Sequence, residues 1–182
     1  EPYRRQRQMC IRDRILDRHL YTFSHVLVIP NPYGVAKQTA LILFNSSKEY
    51  KVRYRVFGDN GNDFVGESNY TTRHRVAILG LYFERSNTVD LSLIDREGKV
   101  VKHRVIRIFV SEVPENQKDL VMEVEGDKSA AMPLLAVNGA AFSPLVFDAD
   151  GAIRYSMQLR TYKMGMIPMP NGHVLLADRT AN

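Results

Sequence analysis

Short apolar runs separated by polar turns recur along most of the chain. Residues 39–44 (TALILF) are predominantly apolar and form a run long enough to be a buried strand. Residues 50–57 alternate instead, so that Val52, Tyr54 and Val56 point one way and basic residues point the other way. A period of two predicts a half-buried strand whose outer face meets water. The pattern therefore predicts mainly β-strands, and no long stretch has a strong helical period.

About seven such strands, each bounded by turn residues, are expected between residues 25 and 110, within a domain at residues 20–112. This number and spacing are typical of an antiparallel β-sandwich of the immunoglobulin or fibronectin-III type. Residues 79–82 (LGLY) are similar to a corner between two strands of such a sandwich, with Tyr82 in the corner. We interpret residues 113–130 as a linker with one short strand at 120–125. The predicted fold class is all-β.

Residues 143–177 contain two predicted hairpins in succession. The turn at 148–151 (DADG) separates the first pair of apolar runs, because Gly151 can adopt a positive φ without a Cβ clash. The turn at 170–172 (PNG) separates the second pair. Four short strands without a helix between them are typical of one blade of a β-propeller, and a propeller needs several blades. We therefore expect residues 131–182 to be the start of a propeller and the chain to be a fragment.

Positive charge is concentrated at the beginning of the chain. The formal net charge is +5, and residues 1–14 hold five arginines against one glutamate and one aspartate. A basic arm of this kind can bind nucleic acid or anionic lipid. However, residues 4–14 (RRQRQMCIRDR) closely resemble a translated sequencing adapter, so we interpret residues 1–14 as an assembly artefact or a disordered arm. We expect no nucleic-acid or membrane partner.

The same segment contains Cys10, and the rest of the chain has no cysteine for a disulfide or a thiolate metal site. No apolar run reaches the roughly 18 residues that a membrane-spanning helix needs. Residues 16–28 carry histidine, aspartate and arginine where the core of a signal peptide would be apolar, so we expect no signal peptide there.

The five histidines are the main candidates for chemistry, and no two have the spacing of metal ligands. They are His19, His25, His74, His103 and His173. We expect a structural hydrogen bond for His74, a solvated position for His103 and a hairpin-turn position for His173. The DADG turn lacks the further ligands of a calcium loop, and no P-loop or nucleophile-elbow motif occurs. The residues therefore predict no catalytic, cofactor-binding or metal-ligating position and no cofactor.

Several of these segments, taken in order, resemble the N-terminal domain of bacterial arylsulfate sulfotransferases. They are NPYG at 31–34, TAL at 39–41, His74, ILGLY at 78–82 and NTV at 87–89. The later segments FDADGAIRY at 147–155 and PNGHVLL at 170–176 resemble the first propeller blade of the same family. Phe83 replaces the proline that commonly follows LGLY in that family.

The resemblance implies an exported, periplasmic enzyme with a six-bladed propeller, which in some members is a homodimer. It implies transfer of a sulfuryl group from a phenolic sulfate ester to a phenol, without PAPS, through a transiently sulfated histidine. Further histidines and an arginine would assist that histidine. All these residues belong to later blades, and His173 does not match any of them, so we expect the chain by itself to be inactive. The alternatives are a non-catalytic fibronectin-like binding module and a dimerisation module attached to a propeller.

Overall fold

The computed structural model describes residues 2–120, 122–126, 134–137, 144–157, 161–169 and 174–178. The described residues form one α-helix and eleven β-strands, which confirms the all-β class. The elements are α1 (Pro2–Asp17), β1 (Leu27–Pro30), β2 (Ala40–Val56), β3 (Phe64–Glu67), β4 (Thr71–Ile78), β5 (Arg85–Ile94), β6 (Val100–Val110), β7 (Leu134–Val137), β8 (Leu145–Asp148), β9 (Ile153–Ser156), β10 (Thr161–Pro168) and β11 (Val174–Asp178). None of the described helices is long and apolar enough to cross a membrane.

Strands β1 to β6 form a sandwich in which β2 belongs to both layers. The first half of β2 pairs antiparallel with β1 and β4. The second half pairs with β3 and β5, and β6 extends this second layer beyond β5. The register of β2 against β4 shifts between Asn45 and Tyr50, where β2 passes from one layer to the other. The two strands predicted at 39–44 and 50–57 are therefore one strand of 17 residues.

The core lies between the two layers. The alternation predicted for the second half of β2 is confirmed, because Val52, Tyr54 and Val56 are buried there while Arg53 and Arg55 are exposed. Burying one aliphatic or aromatic side chain contributes roughly 1.5–3 kcal/mol, so this shared core dominates the stability of the sandwich. Its other members on β2, β4, β5 and β6 are Ala40, Ile42, Phe44, Val76, Ile78, Val89, Leu91, Leu93, Ile106, Ile108 and Val110.

The opposite face of β2 is also apolar, and helix α1 covers it. Leu16 is 1% exposed and packs against Leu41 and Leu43. A strand that is apolar on both faces needs a cover on each of them. The buried strand predicted at 39–44 is therefore confirmed, with the sandwich core on one face and α1 on the other.

Most of the segment that we interpret as an assembly artefact or a disordered arm, residues 1–14, lies in helix α1. Residues 2–14 belong to α1, where Arg12 is buried and donates a hydrogen bond to the carbonyl oxygen of Pro32. Asp13 pairs with Arg75 of β4. Composition predicted disorder because the segment is polar, whereas its last turn continues into Leu16, which supplies the apolar contact. Tertiary contact thus outweighs local composition in this helix.

Two further sheets follow the sandwich. Strands β7, β8 and β9 form an antiparallel sheet, and β10 pairs with β11. Both hairpins predicted in residues 143–177 are present as β8–β9 and β10–β11, and Gly151 has a φ of +82°. The prediction of one four-stranded sheet is wrong for the described strands, because β7 supplies the third strand beside β8. Periodicity identifies strands but does not determine which of them pair. His173 lies outside the described residues.

The segment after the sandwich differs from the predicted linker in one respect. The short strand predicted at 120–125 is absent from residues 122–125, which have no regular structure. A single turn of 3₁₀-helix lies at Glu115–Gln117 instead. The carbonyl oxygen of Met122 lies so close to Gly151 that a Cβ there would be 2.5 Å from it. This segment therefore packs against the DADG turn, and among the described residues it pairs with no strand.

Candidate functional site

Arg154 of β9 is 1% exposed, although arginine is rarely buried without partners. Its Nε and Nη2 atoms donate to the carbonyl oxygen of Gly80 at 2.9 and 2.8 Å. Its Nη1 atom donates to the carbonyl oxygen of Asn62 at 2.6 Å. Because Gly80 and Asn62 belong to loops of the sandwich, this guanidinium joins the β8–β9 hairpin to the sandwich.

Asp148 of β8 supplies the negative charge beside Arg154. Its Oδ2 atom lies 3.1 Å from Nη1 of Arg154, and both side chains are 1% exposed. Its Oδ1 atom accepts hydrogen bonds from the backbone N–H groups of Asp150 and Ala152, at 3.0 Å each. The interpretation of DADG as turn chemistry thus accounts for one carboxylate oxygen, and the other oxygen forms a buried ion pair.

Tyr82 connects the two charges. Its hydroxyl donates to Oδ2 of Asp148 at 3.1 Å and accepts from Nη1 of Arg154 at 2.8 Å. It also accepts from the backbone N–H of Asp59 at 3.1 Å, so its one proton and both lone pairs are used. Its ring lies between the guanidiniums of Arg154 and Arg85, 4.0 and 3.6 Å from the ring centroid. Burial raises the pKa of the Tyr82 hydroxyl, which keeps it a neutral donor.

The corner that carries Tyr82 is held from within the sandwich. The Asn87 side chain accepts from the backbone N–H of Tyr82 at 2.7 Å and donates to its carbonyl oxygen at 2.9 Å. The prediction that Tyr82 lies at a corner between strands is therefore confirmed, because β4 ends at Ile78 and β5 begins at Arg85.

Two further sets of hydrogen bonds cross the same junction. Gln38 is fully buried, and its Nε2 atom donates to the carbonyl oxygens of Leu81 and Ile153. The side-chain amides of Asn60 and Asn62 both donate to Oδ2 of Asp150, at 2.9 and 2.7 Å. Hydrogen bonds of defined geometry therefore make up a large part of the junction between the sandwich and the β8–β9 hairpin.

We call Arg154, Asp148 and Tyr82, with the carbonyl groups of Gly80 and Asn62, the Arg154 cluster. Protein oxygens surround its guanidinium, and the buried ion pair leaves no face open to an anionic ligand. Pairs of this kind determine orientation, because a buried charge is costly wherever its partners are missing. The geometry thus supports a role in holding the two units together, and it does not form a cleft for a substrate.

Comparison with known families identifies the sandwich. A family model described as the arylsulfotransferase Ig-like domain matches residues 27–108, which extend from β1 into β6. The chain contains an arylsulfotransferase Ig-like domain. The expected resemblance to the N-terminal domain of arylsulfate sulfotransferases is therefore confirmed for the sandwich. The search of curated proteins gives no match to the chain.

His74 lies in the core of the Ig-like domain and is fully buried. Its Nε2 atom is 2.8 Å from the Ser46 hydroxyl, which donates its own proton to the carbonyl oxygen of Lys48 at 2.7 Å. The hydroxyl therefore accepts from Nε2–H of His74. Nδ1 has no partner, and the ring stacks on Phe44 with centroids 4.2 Å apart. The structural hydrogen bond predicted for His74 is confirmed.

The other described histidines do not join the Arg154 cluster. His103 is exposed on β6 of the Ig-like domain, as predicted, and its Nε2 atom lies 2.7 Å from Oδ1 of Asp90. Nδ1 of His19 accepts from Nδ2 of Asn45 at 3.0 Å. Within the described ranges, no group of three or more acidic, histidine or cysteine side chains is arranged to hold a metal ion.

His74 makes the stability of the Ig-like domain depend on pH. Burial lowers the pKa of His74 to about 4, whereas the pKa of histidine in an unfolded chain is about 6.5. Both states are neutral above that value, so no stability is lost there. As the pH falls below about 6.5, only the unfolded chain binds the proton, and stability should fall by at most about 1.4 kcal/mol per pH unit.

Urea denaturation of the chain at several pH values between 7.5 and 4 measures this effect. The His74→Gln variant should lose less stability over this range than the unmodified chain, because it has no proton to bind at that position. His103→Gln, at an exposed position, is the matched control and should follow the unmodified chain. Identical pH profiles for all three chains would show that His74 does not contribute.

Proposed function

We propose that this protein is an arylsulfate sulfotransferase of the PAPS-independent type. It would transfer a sulfuryl group from a phenolic sulfate ester to a phenol acceptor. The observation that supports the proposal is the match of residues 27–108 to the arylsulfotransferase Ig-like domain. Export to the periplasm and homodimerisation, which the family resemblance implies for some members, are parts of the same proposal.

The proposed reaction has two steps at one histidine. Neutral imidazole nitrogen attacks the sulfur of the donor ester, the bond from sulfur to the phenolic oxygen breaks, and the departing phenolate takes up the proton that the imidazole loses from its other ring nitrogen. The oxygen of the acceptor phenol then attacks the sulfur of the sulfohistidine, and the acceptor's proton returns to the imidazole, which is regenerated. Covalent catalysis of this kind divides one difficult transfer into two easier ones, and N–H or cationic donors stabilise the sulfuryl oxygens. The donor ester supplies the sulfuryl group, so the proposal includes no cofactor.

The histidines described above do not suit this role. His74 is enclosed by the core of the Ig-like domain and has no access for a phenol. His103 is exposed on a strand face, pairs with Asp90 and lines an open depression rather than an enclosed cleft. We therefore assign the sulfated histidine to a propeller that follows the Ig-like domain, and we assign the Ig-like domain a supporting role.

The test compares the intact gene product with the 182-residue chain. Both receive 4-nitrophenyl sulfate as the donor and phenol as the acceptor, without PAPS. We expect the intact product to release nitrophenol in a phenol-dependent reaction, and we expect the 182-residue chain to release none. Nitrophenol release that does not exceed the acceptor-free control in the intact product would refute the proposed transferase activity. Turnover by the 182-residue chain would refute the assignment of the site to a propeller.

A further inference from the structure

We propose that the corner of the Ig-like domain formed by Asn62, Gly80 and Tyr82 is a docking surface for the β8–β9 hairpin. Arg154 is the side chain by which the hairpin is recognised. In consequence, the Ig-like domain and the hairpin open as one cooperative unit, and the orientation of the sheet that follows is determined at this contact. This inference does not depend on the proposed sulfuryl transfer.

The Ig-like domain forms the docking corner by itself. Gly80 has a φ of +76°, and a Cβ atom on it would lie 2.6 Å from the ring of Phe64. Only glycine fits this turn, which presents the Gly80 carbonyl to Arg154. The Asn87 amide holds both backbone polar groups of Tyr82. None of these features involves the hairpin, so the acceptors for Arg154 exist before the hairpin docks.

The hairpin presents a matching pair of charges. Asp148 ends β8 and Arg154 lies within β9, and Oδ1 of Asp148 holds the turn between them. The turn thereby fixes the distance between the carboxylate and the guanidinium. When the hairpin docks, Arg154 finds two carbonyl oxygens and the Tyr82 hydroxyl, while Asp148 receives the hydroxyl proton. Each charge is thus neutralised or hydrogen-bonded in a site that excludes water.

The hairpin has little support of its own. Strands β7, β8 and β9 have only four residues each, and Leu145 and Phe147 of β8 are buried. A sheet this small is marginal in water unless such an apolar face packs against the rest of the protein. Arg154 and Ser156 are buried on one side of β9. An undocked hairpin would leave these polar groups in water and would lose the hydrogen bonds to Gly80 and Asn62. The hairpin is therefore expected to be ordered mainly while it is docked.

Hydrogen exchange of the whole 182-residue chain, measured by mass spectrometry, tests the proposal. In the unmodified chain, the slowest amides of residues 145–156 should exchange within about threefold of the slowest amides of β5, as expected for a common opening reaction. In the Arg154→Met variant, the hairpin amides should exchange at least about tenfold faster than those of β5. Arg53→Met, which removes an exposed arginine from β2, is the matched control and should change neither rate.

Two outcomes would overturn the proposal. The first is hairpin amides that already exchange more than about tenfold faster than β5 in the unmodified chain. The second is an Arg154→Met variant with unchanged hairpin protection. If that variant does not fold, Tyr82→Phe decides, because it removes only the hydroxyl that bridges Arg154 and Asp148. In this variant, faster exchange confined to the hairpin supports the proposal. If the hairpin and β5 change their exchange rates by the same factor, or do not change them, the proposal is refuted.

Arg154→Lys distinguishes a requirement for charge from a requirement for geometry. Lysine keeps the positive charge but has no planar fork that can contact the carbonyls of Gly80 and Asn62 together. The docking proposal expects the lysine chain to resemble the Arg154→Met chain in hairpin exchange. Full protection of the hairpin in the lysine chain would show that charge alone is sufficient, and it would refute recognition by the guanidinium.

Discussion

Replacing Asp148 by asparagine is expected to destabilise the chain by about 3–5 kcal/mol, because Arg154 is then buried without its counter-ion. The substitution keeps the shape of the side chain, and asparagine can still accept the backbone hydrogen bonds of the turn. The loss therefore reports the missing charged Oδ2, which lies 3.1 Å from Nη1 of Arg154 and also accepts from the Tyr82 hydroxyl. The free energy of unfolding from urea denaturation is the measurement.

Glu67→Gln is the matched control for this substitution. Glu67 also pairs with an arginine, Arg53, through a 2.6 Å contact, but its side chain is 38% exposed. The side-chain hydrogen bond from Lys51 and that from Arg53 lower the pKa of Glu67. Exposed pairs of this kind contribute about 0–1 kcal/mol to stability. Similar losses for the two variants would show that burial does not strengthen the Asp148–Arg154 pair.

Gly80→Ala is expected to lower the free energy of unfolding by about 2–5 kcal/mol. The left-handed backbone conformation costs a residue with a Cβ atom roughly 1–2 kcal/mol. Overpacking against the Phe64 ring, which would lie 2.6 Å from the new Cβ, adds about 1–3 kcal/mol. The same substitution displaces the carbonyl oxygen that accepts two hydrogen bonds from Arg154. Urea denaturation again gives the free energy of unfolding.

Gly98→Ala separates the backbone cost from the packing cost. Gly98 has a φ of +84°, close to that of Gly80, and no atom lies within 4 Å of the position of its Cβ. It lies in the turn between β5 and β6 and has no contact with the Arg154 cluster. We therefore expect a loss of about 1–2 kcal/mol for Gly98→Ala. A loss at Gly80 no larger than this would show that the Phe64 contact and the Arg154 cluster are energetically unimportant.

Three of the segments that resemble the arylsulfate sulfotransferase family meet at the Arg154 cluster. Gly80 and Tyr82 come from ILGLY, and Asp148 and Arg154 come from FDADGAIRY. Asn87, from NTV, holds the Tyr82 backbone. These residues touch one another rather than an open cleft. Assembly of the Ig-like domain and the hairpin thus explains these three segments.

Local signals predicted the turns and the strands of this protein well. Gly151 follows the two aspartates of DADG and has the positive φ that the turn needs. Alternation at Val52, Tyr54 and Val56 identified the buried face of a strand, because a period of two depends only on neighbouring residues. The structural position of His74 was also predicted, from its place directly before an apolar run.

Contacts between distant residues were not predictable in this way. Arg154 lies 72 residues from Tyr82 and 92 residues from Asn62 along the chain. Read locally, Arg154 is one polar residue in a short strand, and Asp148 is a turn residue. Neither signal shows that the two side chains are buried together. The course of β2 through both layers escaped prediction for the same reason, since the polar residues at 46–49 resemble a turn.

The sequence by itself determined the alternating strands, the turn at 148–151 and the β-sandwich class, because these depend on local period and backbone preference. It also carried the motifs of the arylsulfotransferase Ig-like domain. Only the tertiary structure decided that α1 covers β2 and that Arg154 docks the hairpin on Gly80 and Asn62. Burial of a charge requires partners from several segments at once, and no local pattern encodes where those segments meet.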